Sequence, residues 1–203
     1  EKSEDFSTGL RLIFKRAGIW NLGVEYEHSF IKDLIYWERR FDGKYTPRNL
    51  SAARVSSVIW NVEWKSYDDI VGISLSHTLS DPRDRSWEPN QHDNILTFRP
   101  RKITDLKLSF NPGAVFVLMQ TRWVSERYIR RANTKALSKY SVTDLKAGVN
   151  QKIGKFEISL NAKVDNLFSE EYESIERYPL PERSYSLGLG LTYNFESGGR
   201  NEK

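Results

Sequence analysis

Residues 184–195 alternate without a break. Tyr185, Leu187, Leu189, Leu191, Tyr193 and Phe195 fall on one side, and Ser184, Ser186, Gly188, Gly190, Thr192 and Asn194 on the other. Successive side chains of a strand point to opposite faces, so this segment reads as a strand with one uncharged, apolar-aromatic face and one small, polar face. Aromatic residues close both ends of the apolar row, as they do where a membrane strand crosses its two interfaces.

The same period of two runs through most of the chain. Turn signals divide it into about nine extended segments, near 5–15, 19–37, 45–65, 69–79, 94–110, 114–128, 139–152, 155–166 and 183–195. Trp20, Leu22, Val24 and Tyr26 oppose Asn21, Gly23, Glu25 and Glu27, and Phe156, Ile158, Leu160, Ala162 and Val164 oppose Glu157, Ser159, Asn161, Lys163 and Asp165. The apolar sides carry no charge across these stretches, as a lipid face requires, since Arg or Lys at the midplane costs about 2–4 kcal/mol. Three places depart from the pattern. Val115 to Met119 are apolar on both faces. The phase of Tyr140 and Val142 slips against Leu145, Ala147 and Val149. Lys102 shares the phase of Leu106, which places it above the lipid or at a bulge.

Connection lengths alternate as well. Tight-turn chemistry marks 16–18, 66–68, 111–113 and 153–154, whereas 80–93, 129–138 and 167–182 are longer and charged, with 38–44 the shortest of the long set. Short turns at one end and long loops at the other are how outer-membrane barrels are built. Aromatics repeat this geometry. Phe14, Trp20, Trp64, Phe110, Phe156 and Phe195 lie beside short turns, while Phe30, Tyr36, Trp37, Trp123 and Tyr185 lie towards the long loops, giving two candidate girdles. A mean hydropathy of −0.61 does not contradict a membrane barrel, because alternation dilutes the lipid face with a polar lumen. No apolar run approaches the ~20 residues of a spanning helix. The chain has no cysteine, which excludes a disulfide scaffold and thiolate metal sites. Its net charge of +4 over 31 basic and 27 acidic residues is no nucleic-acid footprint.

A family resemblance rests on motifs in order. Asn166-Leu167-Phe168, then Tyr172, then Tyr178-Pro179-Leu180-Pro181-Glu182-Arg183-Ser184-Tyr185, and the aromatic Phe195, closely resemble the C-terminal signature of TonB-dependent outer-membrane receptors. Phe30-Ile31-Lys32-Asp33-Leu34-Ile35, Asp42-Gly43-Lys44-Tyr45-Thr46-Pro47-Arg48-Asn49 followed by Ala53-Arg54-Val55, Phe98-Arg99-Pro100-Arg101 and Ser125-Glu126-Arg127-Tyr128 resemble further segments of that family. The resemblance implies an all-β, antiparallel, up-and-down transmembrane β-barrel of 22 strands, of which residues 1–195 would supply about nine C-terminal strands and 196–203 a tail. It implies a bacterial outer-membrane receptor for active uptake of a bulky nutrient, a ferric siderophore or related metal chelate being the expected class. Its partners would be outer-membrane lipid and lipopolysaccharide, a plug domain and earlier barrel strands, TonB–ExbB–ExbD acting through the plug, and the barrel assembly machinery that recognises a terminal aromatic such as Phe195. The chain contains neither plug nor TonB box, so it reads as a piece of something longer that does not transport by itself.

No catalytic site, cofactor or resident metal is expected. His28, His77 and His92 lack metal spacing. An outer-membrane lipase would need Ser and His on the lipid face, yet Ser74 and Ser76 oppose the phase of His77. Asp81, Asp84 and Asp93 are not spaced as a calcium loop and read as solvated loop charge. Arg127, Tyr128, Arg130 and Arg131 sit in a loop expected to face outward, where the arginines could meet an anionic ferric chelate or lipopolysaccharide phosphate. Glu25, Glu63, Lys107, Lys163 and Asp165 are expected on the lumen side, pairing with one another or with the plug. Two other readings stay open: a passive porin-type barrel, and a soluble β-rich binding module.

Overall fold

The computed structural model describes residues 2–40 and 44–193. Its strands are β1 (Lys2–Lys15), β2 (Ile19–Arg39), β3 (Tyr45–Lys65), β4 (Val71–Asp84), β5 (Lys102–Phe110), β6 (Val115–Val124), β7 (Arg127–Tyr128), β8 (Ala136–Leu137), β9 (Tyr140–Ile153), β10 (Phe156–Asp165), β11 (Glu173–Ile175), β12 (Tyr178–Pro179) and β13 (Ser184–Tyr193). Nine form one antiparallel sheet in the order β1-β2-β3-β4-β5-β6-β9-β10-β13, an up-and-down meander. The pairs β7–β8 and β11–β12 are two-stranded ribbons within long connections. Among the described residues the sheet is not closed, because β1 and β13 each have one neighbour.

The expected alternation of connections is present in part. Short turns follow β1, β3, β5 and β9, and long connections follow β4, β6 and β10, whereas the connection after β2 spans only 40–44, the same length as the 66–70 turn after β3. The turn after β1 shows why its residues are fixed. Gly18 has φ 129, and a Cβ there would lie 2.4 Å from Trp64 Nε1 and 2.5 Å from the Lys65 carbonyl. Trp20 Nε1 donates to the Arg16 carbonyl at 3.0 Å and Trp64 Nε1 to the Ala17 carbonyl at 3.1 Å, so two tryptophans clamp the turn.

Directly paired residues share a face, and the register therefore assembles the two surfaces. One row reads Phe14, Trp20, Trp64, Ile73, Leu108, Met119, Leu145, Val164 and Tyr185 across all nine strands. It is apolar throughout. It begins beside a short turn and ends beside a long connection, eight residues up β13 from Tyr193, which is the partner of Phe156 near the turn after β9. One residue of slip per strand, ~3.3 Å against a lateral spacing of ~4.8 Å, is a tilt of roughly 35°, the tilt of a barrel wall. On the outward face no Asp, Glu, Lys or Arg occurs among the described residues from Phe6 to Phe14, Trp20 to Phe30, Ser56 to Trp64, Val71 to Leu79, Thr104 to Phe110, Val115 to Trp123, Ser141 to Ile153, Phe156 to Val164 or Tyr185 to Tyr193. Leu10, Leu187 and Leu189 are about four-fifths exposed, an apolar surface far beyond what a soluble monomer presents. On the lumen side Arg11 Nε donates to Asn21 Oδ1, Asn21 Nδ2 donates to Glu63 Oε2, Arg122 forks onto Asp105, and Lys163 pairs with Asp165.

Several sequence expectations are corrected. β4 continues to Asp84 instead of ending near 79, because its extra charges are paired and Pro82 needs only its carbonyl, which accepts from Leu96 N at 2.9 Å. β5 begins at Lys102 rather than 94, and β6 ends at Val124, leaving Arg127–Tyr128 to a separate ribbon. Lys102 pairs with Leu79 in an unbroken ladder, so it marks the outer end of that face and not a bulge. No slip occurs at Tyr140 and Val142, which pair in register with Val124 and Arg122. They face inward, where loops cover them: the Tyr140 ring lies 4.4 Å from that of Tyr172 and 4.8 Å under the Arg127 guanidinium. Tyr36 leaves the expected outer girdle. Asp33 has φ 57 and drops out of the ladder between Lys32↔Ala52 and Leu34↔Leu50, which turns Leu34 and Tyr36 to the side of Ile31, Ala53 and Val55. At the short-turn end Phe14 stacks on Trp20 and Trp64 lies tilted against Trp20, while the Trp37 side chain, Asp42, Gly43, Phe195 and 196–203 lie outside the described residues.

A charge on the outward face tests this assignment. In the lipid-inserted protein Leu75→Lys is expected to cost about 2–4 kcal/mol. Ser76→Lys, its neighbour on the lumen side beside Asp105, should cost less than about 1 kcal/mol, both read from denaturant titrations in vesicles.

Candidate functional site

The long connections after β4, β6 and β10 converge into one interlocked cap above the inner face. The first lies along the outer end of β4, where Asp84 N donates to the Asn94 carbonyl and Arg83 bridges Ile95. Its Leu96 is buried with Leu34 and Ala53, and Ile31, Tyr36 and Val55 close round them. Asn133 of the second connection ties to it through both ends of its amide, accepting from Ile95 N at 2.7 Å and donating to the Ile95 carbonyl at 2.9 Å. Lys135 pairs with Glu176 of the third at 2.8 Å.

Arg131 is the hub. Its Nη2 donates to Asp84 Oδ2 at 2.8 Å and to Ser86 Oγ at 3.1 Å, while Nη1 reaches Glu88 Oε2 at 2.9 Å and Tyr36 Oη at 3.3 Å. The guanidinium also lies over the Tyr36 ring at 5.3 Å. Burial opposes its charge, but the bonds to Asp84 and the neighbouring negative charge outweigh that and hold it above the ordinary arginine range. Asp84 is 2% exposed, and its second oxygen accepts from Ser86 N at 2.8 Å. The ion pair thus fastens the ends of two loops to a strand.

Arg127 is more deeply buried than Arg131, at 5% exposure, and under different terms. Nη2 donates to the Glu173 carbonyl at 2.6 Å, and the guanidinium lies on the Tyr140 ring, but Nε and Nη1 meet no acceptor among the described residues. Burial accordingly depresses its pKa below the usual arginine value. Tyr128 is half-buried, with its carbonyl accepting from Phe98 N, and Arg130 is exposed to solvent. The four residues singled out in the sequence therefore occupy one loop but three environments: Arg131 and Arg127 are turned into the cap, Tyr128 is half-covered and Arg130 is free to meet solute.

The C-terminal signature has a structural reading. Asn166, 3% exposed with φ 52, ends β10. Its side chain accepts from Glu170 N at 2.9 Å and donates to the carbonyls of Glu170 and Pro181, while its own N–H donates to Asp144 Oδ1. Leu167 N donates to the Thr143 carbonyl, Leu180 N to that of Tyr172, and the Tyr172 ring packs on Tyr140. Tyr178 and Pro179 form β12, whereas Phe168, Arg183 and Tyr185 are exposed.

Between these parts lies a cavity of about 490 Å³, mostly apolar, lined by Leu34, Tyr36, Leu96, Phe98, Arg131 and Tyr178 among others. Sequence reasoning missed its apolar members, because Leu34 and Tyr36 belonged to the outward phase until Asp33 reversed it. The reversal comes from the left-handed backbone of Asp33, which residue type alone does not give. No group of three or more potential metal-ligating side chains occurs among the described residues. His77 Nδ1 contacts Thr104 Oγ1 at 2.7 Å and its ring stacks on Trp60, away from Ser74 and Ser76 on the opposite face.

No family model and no curated protein sequence matches the chain. Solved structures do. BauA, the ferric preacinetobactin receptor from Acinetobacter baumannii, superposes with a TM-score of 0.71 at 15% identity, over 95% of this chain and 29% of BauA. The ferric citrate transporter FecA in its unliganded form gives 0.70 at 14% identity over 94% and 31%. FyuA, the ferric yersiniabactin uptake receptor from Yersinia pestis, gives 0.62 at 17% identity over 93% and 29%. These are TonB-dependent receptors, and the chain has the fold of a part of their barrels, spanning less than a third of their length.

The ion pair at the hub should control the cap and not the wall. Asp84→Asn is expected to destabilise loop closure by about 1.5–3 kcal/mol, the loss of a charge-assisted pair at Arg131, which keeps its bond to Glu88. Hydrogen exchange should then accelerate at residues 85–101 and 129–135 while β9 and β10 keep their protection.

Proposed function

We propose that this chain is the C-terminal wall of a TonB-dependent receptor in the bacterial outer membrane, with 1–195 as barrel and 196–203 as a tail. The observation that carries the reading is the nine-strand meander with a charge-free outward face and two unpaired edges. Unpaired backbone groups cannot remain exposed to hydrocarbon, so both edges require further strands. Superposition on about 30% of several receptors supports the same conclusion. The whole protein would take up a bulky metal chelate actively, its ligand class being that of the neighbours: ferric preacinetobactin, ferric yersiniabactin and ferric citrate receptors. No covalent chemistry is involved. The cap offers an apolar cavity beside Arg131 and an exposed cation at Arg130, a combination suited to an anionic chelate with an organic skeleton. Capture there would be followed by plug rearrangement and release driven by TonB–ExbB–ExbD.

Fractionated membranes probed with an antibody to residues 167–182 should give an outer-membrane band several-fold heavier than 23.7 kDa. A soluble band near that mass would overturn the reading. Uptake of radiolabelled ferric chelates by the intact protein should vanish when ExbB is inactivated, which a passive pore would not do. Arg130→Gln should weaken chelate binding about tenfold, the worth of one hydrogen bond to a charged group, with unchanged heat-modifiable electrophoretic mobility.

A further inference from the structure

The cavity of the cap, about 490 Å³, takes its walls from three parts of the chain: Leu34 and Tyr36 at the outer end of β2, Leu96 and Phe98 of the first long connection, and Ile175 and Tyr178 of the third. Phe98 is held there under strain. Its φ is 59, a conformation that bulky aromatic residues rarely adopt, and its N–H is fixed on the Tyr128 carbonyl at 2.7 Å. Strain of this kind persists only where the surrounding structure imposes it, and it collects at ligand-binding positions. Here it adds a third ring to a cavity already lined by Tyr36 and Tyr178.

The charged groups of the lining are Asp84, Arg131 and Arg99. A guanidinium has five N–H donors, and Arg131 commits all of them inside the protein. Nε and Nη2 donate to Asp84 Oδ2 at 3.1 and 2.8 Å, Nη2 also to Ser86 Oγ, and Nη1 to Glu88 Oε2 and Tyr36 Oη. Asp84 is closed in the same way, its Oδ1 accepting from Ser86 N. One guanidinium between two carboxylates leaves this cluster with net negative charge. An anion entering the cavity would therefore lose its water beside Asp84 and find no free donor on Arg131. Arg99, in contrast, is exposed to solvent. Thr97 and Tyr178 add neutral hydroxyls to the lining, neither with a hydrogen-bond partner among the described residues.

We infer that this cavity takes an uncharged aryl arm of the chelate and leaves the charged metal centre outside it, towards Arg99 and Arg130. Tyr36, Phe98 and Tyr178 supply aromatic contact, and Leu34, Leu96 and Ile175 supply apolar burial. Arg131 holds the walls together without touching the ligand. The inference rests on the receptor reading above and narrows its substrate class: a compact chelate built from carboxylates alone has nothing to place in the cavity.

The test uses the full-length protein containing this chain, purified in detergent, with ferric hydroxamates as probes: the tris complexes of acetohydroxamate, benzohydroxamate and para-carboxybenzohydroxamate. They share one metal-binding group and differ only in a methyl, phenyl or carboxyphenyl arm. Binding is read from the quenching of tryptophan fluorescence. The phenyl-armed complex should bind the wild type about tenfold more tightly than the methyl-armed one, the effect of burying part of one ring. The carboxyphenyl arm should confer no such gain, although it adds negative charge. Phe98→Ala should remove the preference for phenyl and leave the other two complexes unchanged, since neither arm enters the cavity. Equal affinity for methyl and phenyl arms, or a carboxyphenyl-armed complex whose binding falls with Phe98→Ala, would overturn the inference. Should Phe98→Ala lose heat-modifiable mobility, the wild type decides, by binding the phenyl arm above both others or failing to. A wild type that binds none of the three would also overturn the inference, whereas the receptor reading stands or falls separately on ExbB-dependent uptake.

Discussion

A strand wall in hydrocarbon must satisfy every backbone N–H and C=O through its neighbours, since no water is present to do so. The nine-stranded ladder meets this demand with long, regular registers, and the rest of the molecule follows from it. Side chains are left to alternate between lipid and lumen, which is why the outward rows are apolar from Phe14 to Tyr185 and the inward rows hold pairs such as Arg122–Asp105. The same demand makes short turns tight. Gly18 lets the β1–β2 connection close against Trp64, and the two indole N–H groups satisfy carbonyls that the ladder cannot reach.

Beyond the lipid boundary the rule changes, and so does the use of each face. Strands β2, β3 and β4 run on past the apolar band, where water and folded loops replace hydrocarbon. Inward positions become the hydrophobic ones, with Leu34, Ala53 and Leu96 forming a small core under the cap. Outward positions become ionic, as in the Arg54–Asp81–Arg83 group. Asp33 performs the inversion on β2 by dropping out of the ladder. The buried Arg131–Asp84 pair then holds two connections against a strand end, a choice that trades desolvation for a defined loop geometry.

The C-terminal signature is explained by the same loop geometry. Asn166 uses its left-handed backbone to leave β10 and its amide to fold the following connection, and Tyr172 seals the packing on Tyr140. These residues build the mouth of the wall and need not touch a ligand. Superposition on receptors of only 14–17% identity is consistent with a fold maintained by alternation, turns and a few such anchors rather than by sequence at large.

What could be read from the residues was whatever the period of two controls. The existence of nine strands, the apolar face and the short-turn aromatics follow from local pattern, because a strand's side-chain direction is set by its neighbours in sequence. The inward turn of Tyr36, the regular register behind the apparent slip at Tyr140, the extension of β4 through Pro82 and the burial of Arg127 and Arg131 were not legible. Each depends on contacts between residues far apart in the chain: Asp33 against β3, Tyr140 against Tyr172, Asp84 against Arg131. The sequence by itself determined a set of strands with one uncharged, apolar face and one polar face. Tertiary structure alone decided which loop residues are fastened into the cap and which remain open, because that depends on where three separate connections meet.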